Sequence, residues 1–361
     1  MIPRRFINLL MKDLQVGGSY WLSRLRPEEN LFYSSAVEAA ATEAQARRDK
    51  RKPICSSTME LATRPDFRFK SSRSSDSTLG FMPFYGGLSG GASEGRILVS
   101  DSARHTHLYD AEEGSGEILP PTGEKSTWHS PISVCIAKDN AVRADTLYAI
   151  NNSNSTYFKS LAYHKGARHW FHLPLPPYFL DNEDCTIQSY TLLDDYRTIC
   201  FSSHPHGHGG FGTYCFDTAT LEWTKAGSWN LPFAGHALRV PQLYNLYFGL
   251  LDTDHESLVA LEIPSPPSLN QWRGFSAPTR WGDWFLMKSN LMYLGNRRFR
   301  VAKIFGIIDG TFELSENLVD MVAILTGVEI LNGYANKAKL QMIKHKTRTY
   351  TFDGCSIKSV F

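Results

Sequence analysis

The chain has 361 residues, 42% of them hydrophobic, 20% charged and 12% aromatic, with a formal net charge of +2. This is a globular composition, too balanced in charge to draw in nucleic acid through a general basic field. No apolar run approaches the roughly 20 residues a spanning helix needs, so no membrane association is expected.

In chain order, the opening "MIPRRFINLLMKDL" lacks the apolar core and small-residue cleavage site of a secretory signal. A cytoplasmic or nuclear setting is expected, with Arg4 and Arg5 raising organelle import as the alternative. "YWLSRL" (20–25) reads as a strand that completes a sheet with the C-terminal strands. "SSAVEAAATEAQARRDKRK" (34–52) reads as a helix, with Ser34 or Ser35 as N-cap and bases at its C-terminal end. Residues 53–80, with the run "KSSRSSDST", read as a mobile loop inserted with that helix near the start of the fold.

From about residue 81 the texture changes to short apolar alternations separated by Gly, Pro, Asn and Asp, the pattern of an all-β array. A unit recurs within it, in "THLYDAEEGSGEILPP", "KSLAYHKGARHWFHLPLPP", "GTYCFDTATLEWTKAGSWNLP" and "ESLVALEIPSPPSLNQW". The register residues are Tyr109, Tyr163, Phe216 and Leu261, and an apolar strand precedes each. "TYCFD" and "LEWTK" are two half-buried strands with "DTAT" as their hairpin turn. A sheet this small cannot bury both faces alone and must stack on copies of itself. "LMYLGNRRFRVAKIFGI", "MVAILTGVEIL" and "RTYTF" carry further strand patterns towards the C-terminus.

The unit resembles the kelch repeat: a double glycine, a Tyr-Asp pair, then Trp about six residues later. Gly209, Gly210, Phe216, Asp217 and Trp223 match it with Phe for Tyr; Tyr109 and Asp110 are a second, partial match. Tyr163 and Trp170 form a third, with His164 at the Asp position. The resemblance implies an all-β, kelch-like β-propeller with about six to seven blades and one N-terminal helix inserted, the whole of 1–361 forming a single domain. "RRFINLL", "YWLSRLRPEENLFY", "GTYCFDTATLEW" and "VAILTGVEI…IKHKTRTYTF" also resemble a large plant family, most numerous in grasses, of uncharacterised activity.

The six cysteines, at 55, 135, 185, 200, 215 and 355, include no CxxC pair and read as reduced, packed thiols. Three histidines at alternate positions, His204, His206 and His208, lie between two strands. Alternate residues of an extended segment face one way, so these three define the metal reading. The glycines of that loop and its lack of carboxylates speak instead for a polar turn. His105, His107, His164, His169 and His172 read as ordinary surface or half-buried side chains. Asp194 and Asp195 read as turn caps, and "FYGGLSGGASEG" (84–95) lacks the Lys and helix of a phosphate loop. GxSxG, GxxxxGK[ST], HExxH and strand-linked GxGxxG motifs are absent. "RWGDWF" offers a binding hot spot in Arg280, Trp281 and Trp284. The expected function is therefore a non-enzymatic, monomeric module without cofactor that recognises a protein partner through propeller loops. The alternative is a metal-dependent enzyme or metal-binding protein built on the His204/His206/His208 loop.

Overall fold

The computed structural model describes residues 4–48, 58–60, 65–71, 79–84, 95–101, 103, 105–122, 131–136, 145–152, 157–181, 185–205, 210–263, 270–275, 284–308, 318–331, 340–351 and 354–361. The chain divides into two compact units, one of Lys70–Arg239 and one of Pro3–Phe69 with Val240–Phe361.

The second unit opens with β1 (Ile7–Asp13) and β2 (Ser19–Leu25), an antiparallel hairpin. A short helix α1 (Pro27–Leu31) follows, with Pro27 at its first turn, where no amide hydrogen is needed. Helix α2 (Ala36–Arg48) forms where the Ala/Glu composition placed one. Its start is a reciprocal cap: Ser35 Oγ accepts the Glu38 amide, and the Glu38 carboxylate accepts the Ser34 amide. Two short strands, β3 (Thr58–Glu60) and β4 (Phe67–Lys70), interrupt the stretch read as loop. β4 flanks β2, and β3 is recruited by a distant strand described below, a pairing that local composition does not encode.

The first unit is a series of antiparallel four-stranded meanders. β5 (Gly80–Pro83), β6 (Arg96–Ser100), β7 (Thr106–Asp110) and β8 (Ser115–Leu119) make the first. β9 (Ile132–Ile136), β10 (Thr146–Ile150), β11 (Phe158–His164) and β12 (Ala167–His172) make the second. After a short helix α3 (Pro177–Asp181), the third consists of β13 (Cys185–Leu192), β14 (Thr198–Pro205), β15 (Gly212–Asp217) and β16 (Glu222–Gly227). β17 (Phe233–Val240) adds to β13 in parallel.

Alternation explains the stacking. The middle sheet turns Leu147, Ala149 and Leu161 towards Met82, Phe84, Leu98 and Leu108 of the sheet before it. Its other face sets Ile132, Val134, Tyr148, Ile150 and Phe158 against Ile187, Ile199, Phe201 and Phe216 of the sheet after it. A sheet buried on both faces by its neighbours, each a four-stranded meander, is a propeller blade. The protein is all-β and of the β-propeller class.

The second unit continues with β18 (Leu246–Leu251), β19 (Ser257–Leu261) and β20 (Asn270–Arg273). Then come β21 (Trp284–Gly295), β22 (Arg298–Ile308), β23 (Leu318–Leu331) and β24 (Gln341–Thr351), with β3 parallel on β24. The segment 291–307, one pattern in the sequence, is two strands. Asn296 and Arg297, both in the left-handed region, turn the chain between them. The last strand, β25 (Cys355–Val360), pairs with β1, and Asn8 and Phe361 exchange backbone hydrogen bonds. The sheet containing β2 therefore does join the two ends of the chain, through a terminal strand "CSIKSV" beyond the "RTYTF" pattern.

Candidate functional site

The richest arrangement of side chains lies at one end of the β13–β16 blade, where the β13–β14 and β15–β16 turns emerge together. Each turn is built by an aspartate. Asp195 Oδ1 accepts the amides of Arg197 (2.9 Å) and Thr198 (2.8 Å). Asp217 Oδ1 accepts those of Ala219 (2.8 Å) and Thr220 (3.2 Å). The same device recurs at Asp13, Asp110 and Asp254, each capping the amides two and three residues on. Asp195 is thus the turn cap the sequence suggested, and the carboxylates at these ends hold backbone.

The two turns are fastened to each other. Arg197 forks onto both carboxylate oxygens of Asp217, and its carbonyl accepts the amide and hydroxyl of Thr218. The Arg197 hydrogen bonds hold the Asp217 carboxyl well below its ordinary range. The first blade repeats the pairing with Arg96 Nε on Asp110 Oδ2 at 3.2 Å. Asp110 and Asp217 stand out in the sequence as matches to the repeat, but their arginine partners do not. The signal was present in "GRILVSD" and "RTICFSS", where Arg opens or precedes the second strand of each unit.

Beneath the turns, Phe216 is fully buried and Trp223 packs on Phe216, Phe158 and Phe201 at ring separations of 5.0, 5.7 and 5.7 Å. The Trp223 indole donates to the Pro174 carbonyl at 2.8 Å. Gly210 permits close approach of a loop, since a Cβ there would collide with the Asn230 side chain. That loop is held by a buried run of hydroxyls the sequence reading did not foresee. Ser189 donates to the Leu231 carbonyl, Ser202 Oγ accepts the Leu231 amide, and Thr213 donates to the Trp229 carbonyl.

Above the turns, two bulky side chains face solvent. Tyr196 has φ +51° and is 40% exposed; Leu221 has φ +61° and is 44% exposed. Left-handed backbone is costly for a branched or large L-residue, and glycine or asparagine ordinarily takes such positions. The Arg239 guanidinium lies over the Tyr196 ring, its carbon 5.6 Å from the centroid, and donates to the Tyr196 hydroxyl at 3.1 Å.

The other expected residues are distributed as follows. Tyr109 and Asp110 close β7, and Asp217 closes β15. Tyr163 sits on β11, 38% exposed, donating to the Gly166 carbonyl across its own hairpin. Trp170 packs half-buried on the core between the first two blades. His204 lies on β14 opposite Thr186; His206, His208 and Gly209 lie outside the described residues. Arg280 and Trp281 also lie outside them, whereas Trp284 begins β21 with its ring 5.6 Å from that of Phe305. His105 is tied to Asp101 at 3.0 Å, and the His164, His169 and Phe171 rings form an exposed group on the β11–β12 hairpin. Among the described residues, no group of three or more His, Cys, Asp or Glu is placed to hold a metal ion.

The cysteine expectation needs correction. Cys200 and Cys215 are directly opposite on β14 and β15 and are joined as a disulfide. Nothing in the cysteine spacing signals this, because the pairing depends on the strand register that sets two cysteines 15 residues apart opposite each other.

The family described as "Protein of unknown function (DUF1668)" matches residues 4–350, and this chain belongs to it. No curated protein matches the chain. Among solved structures it is similar to the Pseudomonas aeruginosa periplasmic gluconolactonase PpgL, at 10% identity, TM-score 0.38, with 98% of this chain and 99% of that one covered. It is also similar to the WD40 domain of SCAP from fission yeast, at 10% identity, TM-score 0.35 and coverages of 79% and 69%. A Bacteroides thetaiotaomicron protein of unknown function is similar at 10% identity, TM-score 0.36 and coverages of 78% and 79%.

Proposed function

We propose that this chain is a non-enzymatic, kelch-like binding module of a plant cell that recognises a protein partner through the turns of its blades. The kelch-like reading is supported by the Arg–Asp pairs beneath two hairpins and by Trp223 on its aromatic bed. The observation that carries the binding reading is the pair Tyr196 and Leu221. Both are exposed, both occupy backbone that disfavours them, and both stand on turns locked together by Arg197 and Asp217. Costly local conformations persist where function requires the side chain. A rigid frame that presents Tyr, Leu and Arg has the composition of a protein-binding hot spot.

The test is co-purification of partners with the tagged chain, expressed at native level in plant tissue, in three forms. A stoichiometric partner is expected with wild type and with Arg280→Ala/Trp281→Ala, and is lost in Tyr196→Ala/Leu221→Asn. Trp284 is left intact because its loss would disturb Phe305. Capture of nothing by wild type, or retention of the partner by the turn variant, would overturn the reading.

A further inference from the structure

Helix α1 and the residues after it lie on β23 and β24, all within the second unit. Lys346 reaches the Glu29 carbonyl at 3.4 Å and Arg348 the Asn30 carbonyl at 3.2 Å, cations meeting the open end of a helix. Gly327 leaves room for the Leu31 carbonyl, which a Cβ would strike. Leu31, Phe32 and Ala39 are buried.

At the centre of this contact is His345, whose side chain has no exposed surface. Its ring lies 5.0 Å from that of Phe32 and stacks on Tyr33 at 6.2 Å. The Tyr33 amide donates to Nδ1 at 3.3 Å, and Nε2 lies 3.2 Å from Glu329 Oε2. Since Nδ1 accepts, the single proton of the neutral ring sits on Nε2 and is given to Glu329. A second proton would go onto Nδ1, where it would oppose the Tyr33 amide hydrogen and abolish that bond.

The charged groups around the ring come from every packed element: Glu28 on α1, Glu38 on α2, Arg298 on β22, Glu329 on β23, and Lys346 and Arg348 on β24. Glu329 and Glu28 favour the imidazolium. Arg298 opposes it, lying 2.6 Å from Glu28 and 3.8 Å from Glu329 and covering Phe32. Burial is the dominant influence, Arg298 adds to it, and the ring is held below its ordinary pKa of 6.5.

We propose that His345 is an acid-sensitive latch: protonation of its Nδ1 releases α1 and the Phe32–Ser35 connection from β23 and β24. The released ring takes a proton at about 6.5 and the latched ring only at lower pH. The latch is therefore fully held above 6.5 and weakens as pH falls towards the latched value.

The experiment is hydrogen exchange of the full chain from pH 7.5 to 5, corrected for the intrinsic exchange rate. Amides of Asn30–Ala39 are expected to lose at least about tenfold in protection, while β23 keeps its own. His345→Gln can accept from Tyr33 and donate to Glu329 without titrating, and should show a flat profile. Glu329→Gln removes an anion that favours the imidazolium, so its release should move to lower pH. A flat wild-type profile, an equal fall in His345→Gln, or a Glu329→Gln shift to higher pH or none would overturn the proposal; the last holds even if the His345 variant does not fold.

Discussion

The β13–β16 blade of the first unit and the β21–β24 sheet of the second use their polar residues in opposite ways. The blade has strands of six to eight residues and spends its charges at its ends, in aspartate-capped turns and the Arg197–Asp217 fork. The second sheet has strands of 11 to 14 residues and buries charge among them. Arg300 is fully enclosed and bonded to Asn290, and Lys303 donates to the Phe275 carbonyl with burial pulling its pKa down to about 8. Short strands with firm turns hold a surface out to solvent. Long strands with buried charge make a seat for part of the chain itself, here α1 and its continuation. The same polar residue types thus close turns in one sheet and lie buried among strands in the other.

The largest expected effect tests whether the aromatic bed is what makes the blade firm. Phe216→Ala removes a fully buried ring that touches Phe158 and Trp223. A loss of about 3–5 kcal/mol in denaturant unfolding is expected. Hydrogen exchange should place that loss in β9–β16, and an equal loss across β21–β24 would erase the contrast between the two regions.

Next in size is the covalent link inside the blade. Closing the 15-residue separation of Cys200 and Cys215 constrains the unfolded chain by about 3 kcal/mol. Cys200→Ser/Cys215→Ser should lower stability by up to that amount. In the wild-type chain unfolded without reductant, alkylation should leave these two positions unlabelled, and labelling should appear after reduction. Labelling before reduction would show the pair to be thiols.

Much of the blade was legible in the sequence because its information is local. "TYCFD", "DTAT" and "LEWTK" each carry their own strand or turn chemistry, and the β15–β16 hairpin falls on them. Gly210 and Trp223 were legible as matches to the repeat, although their reasons, the Asn230 side chain and the Pro174 carbonyl, lie in distant loops. What escaped depends on pairing across distance: β3 on β24, β25 on β1, Cys200 against Cys215. The candidate site was half visible. Asp195 and Asp217 announced turns, but nothing in "DYR" or "TATLEW" reveals left-handed backbone at Tyr196 and Leu221. Those conformations arise from the hairpins closing, and the tryptophans of "RWGDWF" drew attention by residue type instead.

The smallest expected change is the sharpest test of what the turns are for. Leu221 donates its amide to the Asp217 carbonyl at 2.8 Å, and its side chain contributes an exposed, left-handed leucine to the end of that turn. Asparagine tolerates this backbone far better, because its short polar side chain bonds locally. Leu221→Asn should therefore raise stability in denaturant unfolding by up to about 1 kcal/mol and leave Arg197 on Asp217. If the turn existed only to close the hairpin, that gain would come without loss. If it exists to present an apolar side chain on a rigid frame, the more stable variant should bind its partner more weakly. A gain in stability with undiminished binding would remove Leu221 from the recognition surface and leave Tyr196 and Arg239 to carry it.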